Sequence, residues 1–218
     1  MKRLIQGVTA LAFAMPFALG AQAANDPDKK VMDGGVKVEG WRARLDRPNA
    51  KVEELKFVSM GPGFHVTSGP AAIYWNAANA AKGNYTVKAS LTQTKATPHR
   101  EAYGIFLGGD NLTEPSQSYL YLVIGGTGEY TIKHRAGSET HTIVDWTKNE
   151  AVRAVDAAGK ATNELAIEVG DDVRYMINGV EVLKTPRAQV MGSLDGATGL
   201  RVNHNLDIHV GNFSVTKK

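Results

Sequence analysis

The spacing of carboxylates, histidines and hydroxyls limits the chemistry this chain can perform. Glu164 and Glu168 lie four residues apart, so on an extended strand both project from one face. At ~3.3 Å per residue they stand roughly 13 Å apart, whereas glycosidic hydrolysis needs two carboxyls roughly 5 to 9.5 Å apart. The pair reads as a solvated face opposite Leu165, Ile167 and Val169. The six histidines, His65, His99, His134, His141, His204 and His209, show no His-Glu-x-x-His pairing. No Asp-rich calcium loop is present either, so no metal site is expected. The chain has no cysteine, hence no thiol nucleophile, and no Gly-x-Ser-x-Gly elbow. Gly159-Lys160-Ala161 lacks the upstream glycine and the hydroxyl of a phosphate loop, and no dinucleotide fingerprint follows a strand. No cofactor is expected.

Two polar surfaces remain as candidates for binding. The first is a hairpin of Tyr119 to Ile124 and Glu129 to Arg135, joined by Gly125-Gly126-Thr127-Gly128. If the glycine segment is a plain four-residue loop, Tyr121 shares a face with Ile132 and His134, which is ordinary core. A one-residue bulge instead sets Tyr121, with Tyr119, beside Lys133 and Arg135, because a single slip exchanges the faces. That register leaves Leu120, Leu122 and Ile124 with Tyr130 and Ile132 as a dry face. Tyrosines among cations would suit a glycan or an acidic sugar, through ring stacking and charged donors. Both registers remain open from the sequence. The second surface is the alternating row Asn203, Asn205, Asp207 and His209, whose amides and carboxylate could bond sugar hydroxyls or simply face water. His204 has the opposite parity, with Val202, Leu206 and Ile208, and reads as a hydrogen-bonded, partly buried strand residue. Trp75, beside Tyr74, is a candidate stacking platform, as are Trp41 and Trp146. Tryptophans of this kind also plug the ends of a core.

These residues must be carried by strands. Residues 1–23 place Lys2 and Arg3 before an apolar run that ends in small residues at Ala21 and Ala23, the layout of a secretory signal peptide cleaved before Ala24. Gln6, Thr9, Pro16 and Gly20 interrupt the run, which argues against a membrane anchor. No second segment is apolar enough to span, so no integral membrane segment is expected after signal removal. The net charge is +3, and loss of Lys2 and Arg3 with the signal leaves +1. With no block of Lys and Arg interleaved with aromatics, nucleic acid is not an expected partner. Export without cysteine points to a periplasmic or extracellular location and to stability from a packed core. Residues 24–34 read as a flexible leader and 35–218 as a single domain.

Within that domain Asn84 to Thr92 alternates, with Tyr85, Val87, Ala89 and Leu91 on one side. Further strands are expected at Ala102 to Leu107, Glu164 to Val169, Val173 to Ile177 and Val180 to Leu183. Asn178-Gly179 marks a type I′ hairpin. A last strand pair is expected at Leu200 to Val202 and Leu206 to Val215. The Ala-rich piece from Asn76 reads as a loop crossing or a single helical turn. Many short strands at hairpin spacing imply an all-β, antiparallel two-sheet sandwich with jelly-roll topology.

From Gly83 onward the order of pieces resembles the concanavalin A-like (laminin-G-like) jelly-roll superfamily, and within it the DUF1080 or 3-keto-disaccharide hydrolase-like domain. The matching stretches are Gly83-Asn-Tyr-Thr-Val-Lys-Ala, Tyr103-Gly-Ile-Phe-Leu, and Asn163-Glu-Leu-Ala-Ile-Glu-Val with Tyr175-Met-Ile-Asn-Gly-Val-Glu-Val. To these add Gly199-Leu-Arg-Val-Asn-His204 leading to Ile208-His-Val-Gly-Asn-Phe-Ser-Val. The resemblance implies the sandwich and a glycoside-acting hydrolase. Two departures stand against that activity. Tyr119-Leu-Tyr-Leu-Val-Ile replaces a polar strand that bears an acidic residue in the hydrolase-like relatives, and the Glu-x-Asp-x-x-Glu signature of laminarinase-type glucanases is absent. Three roles are therefore set against one another: a non-catalytic carbohydrate-binding-like module for a glycan or polysaccharide, a glycoside hydrolase with Glu101 and Asp110 as its candidate carboxylates, and an envelope structural or protein-interaction domain.

Overall fold

The computed structural model describes residues 27–218; the signal-peptide segment lies outside the described residues. The strands are β1 (Gly35–Val36), β2 (Trp41–Leu45), β3 (Leu55–Met60), β4 (Gly63–Ser68), β5 (Ala72–Asn76), β6 (Tyr85–Gln93), β7 (Ala102–Asp110), β8 (Ser118–Gly125), β9 (Glu129–Ala136), β10 (Glu139–Lys148), β11 (Ala161–Val169), β12 (Asp172–Ile177), β13 (Val180–Pro186), β14 (Ala197–Val202) and β15 (Asp207–Lys217). They form an eight-stranded sheet, β1-β3-β4-β15-β6-β11-β12-β13, and a seven-stranded sheet, β10-β9-β8-β7-β14-β5-β2. All described pairings are antiparallel except β1 with β3. The fold is the expected two-sheet sandwich. Among the described residues no helix is long and apolar enough to cross a membrane.

Alternation of side chains builds the core. Tyr85, Val87, Ala89 and Leu91 of β6 and Leu165, Ile167 and Val169 of β11 are buried and face Tyr103, Ile105 and Leu107 of β7 and Leu120, Leu122 and Ile124 of β8. The opposite sides of β6 and β11 carry ion pairs, such as Lys88 with Glu164 at 2.8 Å, and Glu168 pairs with Arg174 at 3.2 Å. Trp41 closes one end of the core, with its ring 5.2 Å from Phe57 and 5.5 Å from Phe213. At the Asn178-Gly179 turn both residues have positive φ, 49° and 82°, as a type I′ hairpin requires. Ala77–Asn79 forms a single 3-10 turn, capped by the Asn76 side chain, which accepts from Ala78 N at 2.9 Å.

The structure departs from the expectations in two places. Strands β1 to β5 and β10 lie outside the segments read as strands; β1, β3 and β4 supply one edge of the eight-stranded sheet, and β10 and β2 with β5 supply both edges of the seven-stranded sheet. The closing pair, moreover, is not a pair. β14 belongs to the seven-stranded sheet and β15 to the eight-stranded sheet, and residues 203–206 carry the chain between them. Asn205 takes φ 58°, its N–H bonds Gly69 O at 3.0 Å, and Asn203 N bonds Ala102 O at 2.8 Å. His204 accordingly sits in a turn, half-buried, not on a strand.

Candidate functional site

The outward face of the seven-stranded sheet gathers most of the expected binding residues. β8 pairs with β9 through Tyr121 with Lys133 and Tyr119 with Arg135, the bulged register of the two weighed. Its cause is local. Gly125 pairs with Glu129, leaving a three-residue loop in which Gly128 takes φ +88°, as three-residue hairpins with a left-handed residue do. Leu120, Leu122, Ile124, Tyr130 and Ile132 then turn inward and are buried. His134 turns inward with them at the core's rim, bonded to Ser118 Oγ at 3.0 Å.

Across the sheet the pairings align Lys133, Tyr121, Phe106, Gly199 and Trp75 in one row. A neighbouring row runs Thr131, Val123, Gly104, Arg201, Ile73 and Arg44. The Phe106 ring lies over Gly199, where a Cβ would come within 2.6 Å of it and 2.0 Å of Tyr74 O, so only glycine fits. The loop between β7 and β8, residues 111–117, folds back over this face. Its Leu112 packs on Ile73, Trp75, Phe106 and Tyr119, and Arg44 Nη1 braces it by donating to Leu112 O at 2.9 Å and to Glu114 O. Trp75 and Tyr119 therefore lie in a small second core, 6% and 2% exposed, while Tyr121 packs against it half-buried. Burial raises the pKa of both tyrosines. Trp146 is half-buried on β10, with the Arg100 guanidinium 4.6 Å from its ring centroid.

Beside the tyrosines, Arg201 makes a two-pronged bond to Asp46, Nη1 to Oδ1 at 2.6 Å and Nη2 to Oδ2 at 2.5 Å. Burial works to raise the Asp46 pKa, but Arg201, helped by Arg135 and Arg44, outweighs it and holds the carboxyl below its ordinary value. Asp46 is thus an ionised partner, not a proton donor. A cavity of about 550 Å³ opens at this end of the face, lined by Arg44, Asp46, Arg47, Gln117, Arg135 and Ser138. The sequence reading passed over Arg44, Asp46 and Arg201. Alternation carried a signal for two of them, since Arg44 falls between inward Ala43 and Leu45, and Arg201 between inward Leu200 and Val202.

The polar row from Asn203 to His209 does not join this face. The crossing turn divides it: Asn203 and Asn205 lie in the turn, and Asp207 and His209 on the eight-stranded sheet. Asn205 Oδ1 accepts from Lys29 N at 2.7 Å. Asp207 accepts from Lys29 Nζ at 2.7 Å and Thr67 Oγ1 at 2.9 Å, and His209 pairs with His65. Glu101 and Asp110 bracket β7. Glu101 is buried with its Oε1 2.9 Å from His204 Nδ1, and Asp110 is exposed at the far end of the strand. At ~3.3 Å per residue they stand roughly 30 Å apart, well beyond glycosidase separation. Among the described residues no group of three or more His, Asp or Glu is placed to hold a metal.

No protein-family profile matches the sequence, and no curated protein matches it. Solved structures do match the fold. The carbohydrate binding module CBM66 of Bacillus subtilis superposes with TM-score 0.61 at 12% identity, over 87% of this chain and 100% of that one. A protein of unknown function with a galectin-like fold, also from Bacillus subtilis, gives 0.60 at 13% identity, over 82% and 90%. The Bacteroides ovatus mixed linkage glucan GH16 gives 0.56 at 7% identity, over 82% and 96%. At such identities the likeness is one of fold, and this chain has the jelly-roll, concanavalin A-like fold.

Proposed function

We propose that this protein is an exported, non-catalytic carbohydrate-binding module that holds a glycan on the outward face of its seven-stranded sheet. The observation that carries the reading is the row in which half-buried Tyr121 stands beside Lys133, with Arg135 two residues along the same face of the strand. A sugar ring stacks on the tyrosine while its hydroxyls accept from the cations. The fold of the Bacillus subtilis carbohydrate binding module supports this use of the sandwich. The carboxylates support a binding role over hydrolysis: Asp46 is held by Arg201, and Glu101 and Asp110 lie at opposite ends of β7. Location outside the cytoplasm, periplasmic or extracellular, rests on the pattern of residues 1–23.

Affinity electrophoresis against a panel of neutral and acidic polysaccharides tests the reading. Retardation of the mature chain by at least one polymer is expected, with Tyr121→Ala weakening binding about tenfold and leaving thermal unfolding within a few degrees of the parent. Migration indifferent to every polymer would refute it.

A further inference from the structure

The cavity at the Arg135 end of the face is built unlike the rest of it. Two of its guanidiniums, Arg44 and Arg135, are oriented by neutral oxygens: Arg44 by Leu112 O and Glu114 O, Arg135 by Gly137 O at 2.8 Å and Thr140 Oγ1 at 3.3 Å. Each keeps its full charge while its fork is held in place. The carboxylate that could neutralise them, Asp46, has both oxygens engaged by Arg201. Arg47, on the rim, is drawn to Asp28 and Glu54, and the Glu114 carboxylate lies 3.2 Å from the Thr113 hydroxyl. Outside the cavity, Lys133 adds a cation two residues from Arg135 on the same face of β9. A concave site with preoriented cations of one sign concentrates an anion and binds it through charge-assisted, forked hydrogen bonds.

We infer that this cavity receives an oxyanion carried by a sugar, the carboxylate of a uronic acid or a sulfate ester, so that the module prefers acidic glycans to neutral ones. The inference rests on the glycan-binding reading and adds to it the ligand's charge. Tyr121 would support the ring next to the charged sugar, and the 111–117 loop, packed down by Leu112, forms the wall that keeps Arg44 aimed.

Three comparisons by titration calorimetry at fixed ionic strength test it. Polygalacturonate is compared with its methyl-esterified form, which keeps the backbone and removes the charge, and dextran sulfate with dextran. Arg135→Gln is then compared with Lys88→Gln, which makes the same charge change on the other sheet. The expected result is at least about tenfold tighter binding of one charged polymer over its neutral counterpart. That preference is lost in Arg135→Gln and kept in Lys88→Gln. The polymer pair that shows it identifies the oxyanion. Equal affinity for charged and neutral polymers overturns the inference while glycan binding stands. Equal loss in the two variants overturns it as well, since general charge attraction then accounts for the binding. Binding of no polymer removes the glycan reading and this inference together. Because Arg44 braces the loop, Arg44→Lys serves as a second variant that keeps the charge and removes the fork, and a preference unchanged by both Arg44→Lys and Arg135→Gln also overturns the inference.

Discussion

The Asp46–Arg201 pair shows how much one side chain can organise. Arg201 lies near Tyr119 and Tyr121 with 11% of its side chain exposed, whereas Asp46 retains 31%. Removing the anion leaves a buried guanidinium without its counter-charge, a loss of about 3–5 kcal/mol for a fully buried pair. The partial exposure of Asp46 puts the expected cost of Asp46→Asn at about 3 kcal/mol, a fall of roughly 6–12 °C in unfolding temperature, measurable by calorimetry. The same variant releases Arg201, so tighter binding of acidic polymers by the surviving fold would accompany the lost stability if the cavity is an anion site. Neither Asp46 nor Arg201 was legible as a pair in the sequence. They are 155 positions apart, and only the placement of β2 and β14 on either side of β5 brings them together.

At the scale of elements, the loop between β7 and β8 determines which residues a ligand can meet. Leu112 makes β7 buried on both sides and converts Trp75 and Tyr119 from stacking platforms into core. Leu112→Ala should cost about 2 kcal/mol, the low end for a buried leucine because the site is a surface loop that can settle. It should also shift tryptophan emission to the red as Trp75 becomes wet. Unchanged emission and stability would mean that the loop does not seal this face. Hairpins were legible where a turn residue has one conformation to offer, as at Asn178-Gly179. The β8–β9 hairpin was not, since its glycine-rich loop admits two registers of opposite face. The fold selects the register that buries Leu120, Leu122 and Ile124 against β6 and β11.

At the scale of the whole molecule, the sandwich stands without a disulfide, and its N-terminal segment is tied down by charge. Lys29 reaches Leu206 O and Asp207, just past the turn where the chain changes sheets. Burial tends to raise the Asp207 pKa, but bonds from His65, Lys29 and Thr67 prevail and hold it well below the ordinary carboxylate value. A carboxyl with a depressed folded pKa contributes stability that is complete above its unfolded value, ~3.9, and is lost as pH falls through the folded one. Asp207→Asn should therefore lower the unfolding temperature at neutral pH, by about 4–8 °C for a loss of about 2 kcal/mol. It should also flatten the decline of the parent below about pH 4. A parallel acid decline in parent and variant would show that Asp207 is not the group responsible. Local pattern determined the strands from β6 onward, except β10, and the sandwich class, because alternation and turn chemistry are properties of neighbouring residues. The short strands β1 to β5 escaped notice for the converse reason, since strands of two to six residues carry weak alternation. The composition of the candidate site was a tertiary outcome. It depends on strand register, on the turn that splits Asn203 and Asn205 from Asp207 and His209, and on a loop folding over a sheet, contacts between residues far apart in the chain whose energies no local spacing encodes.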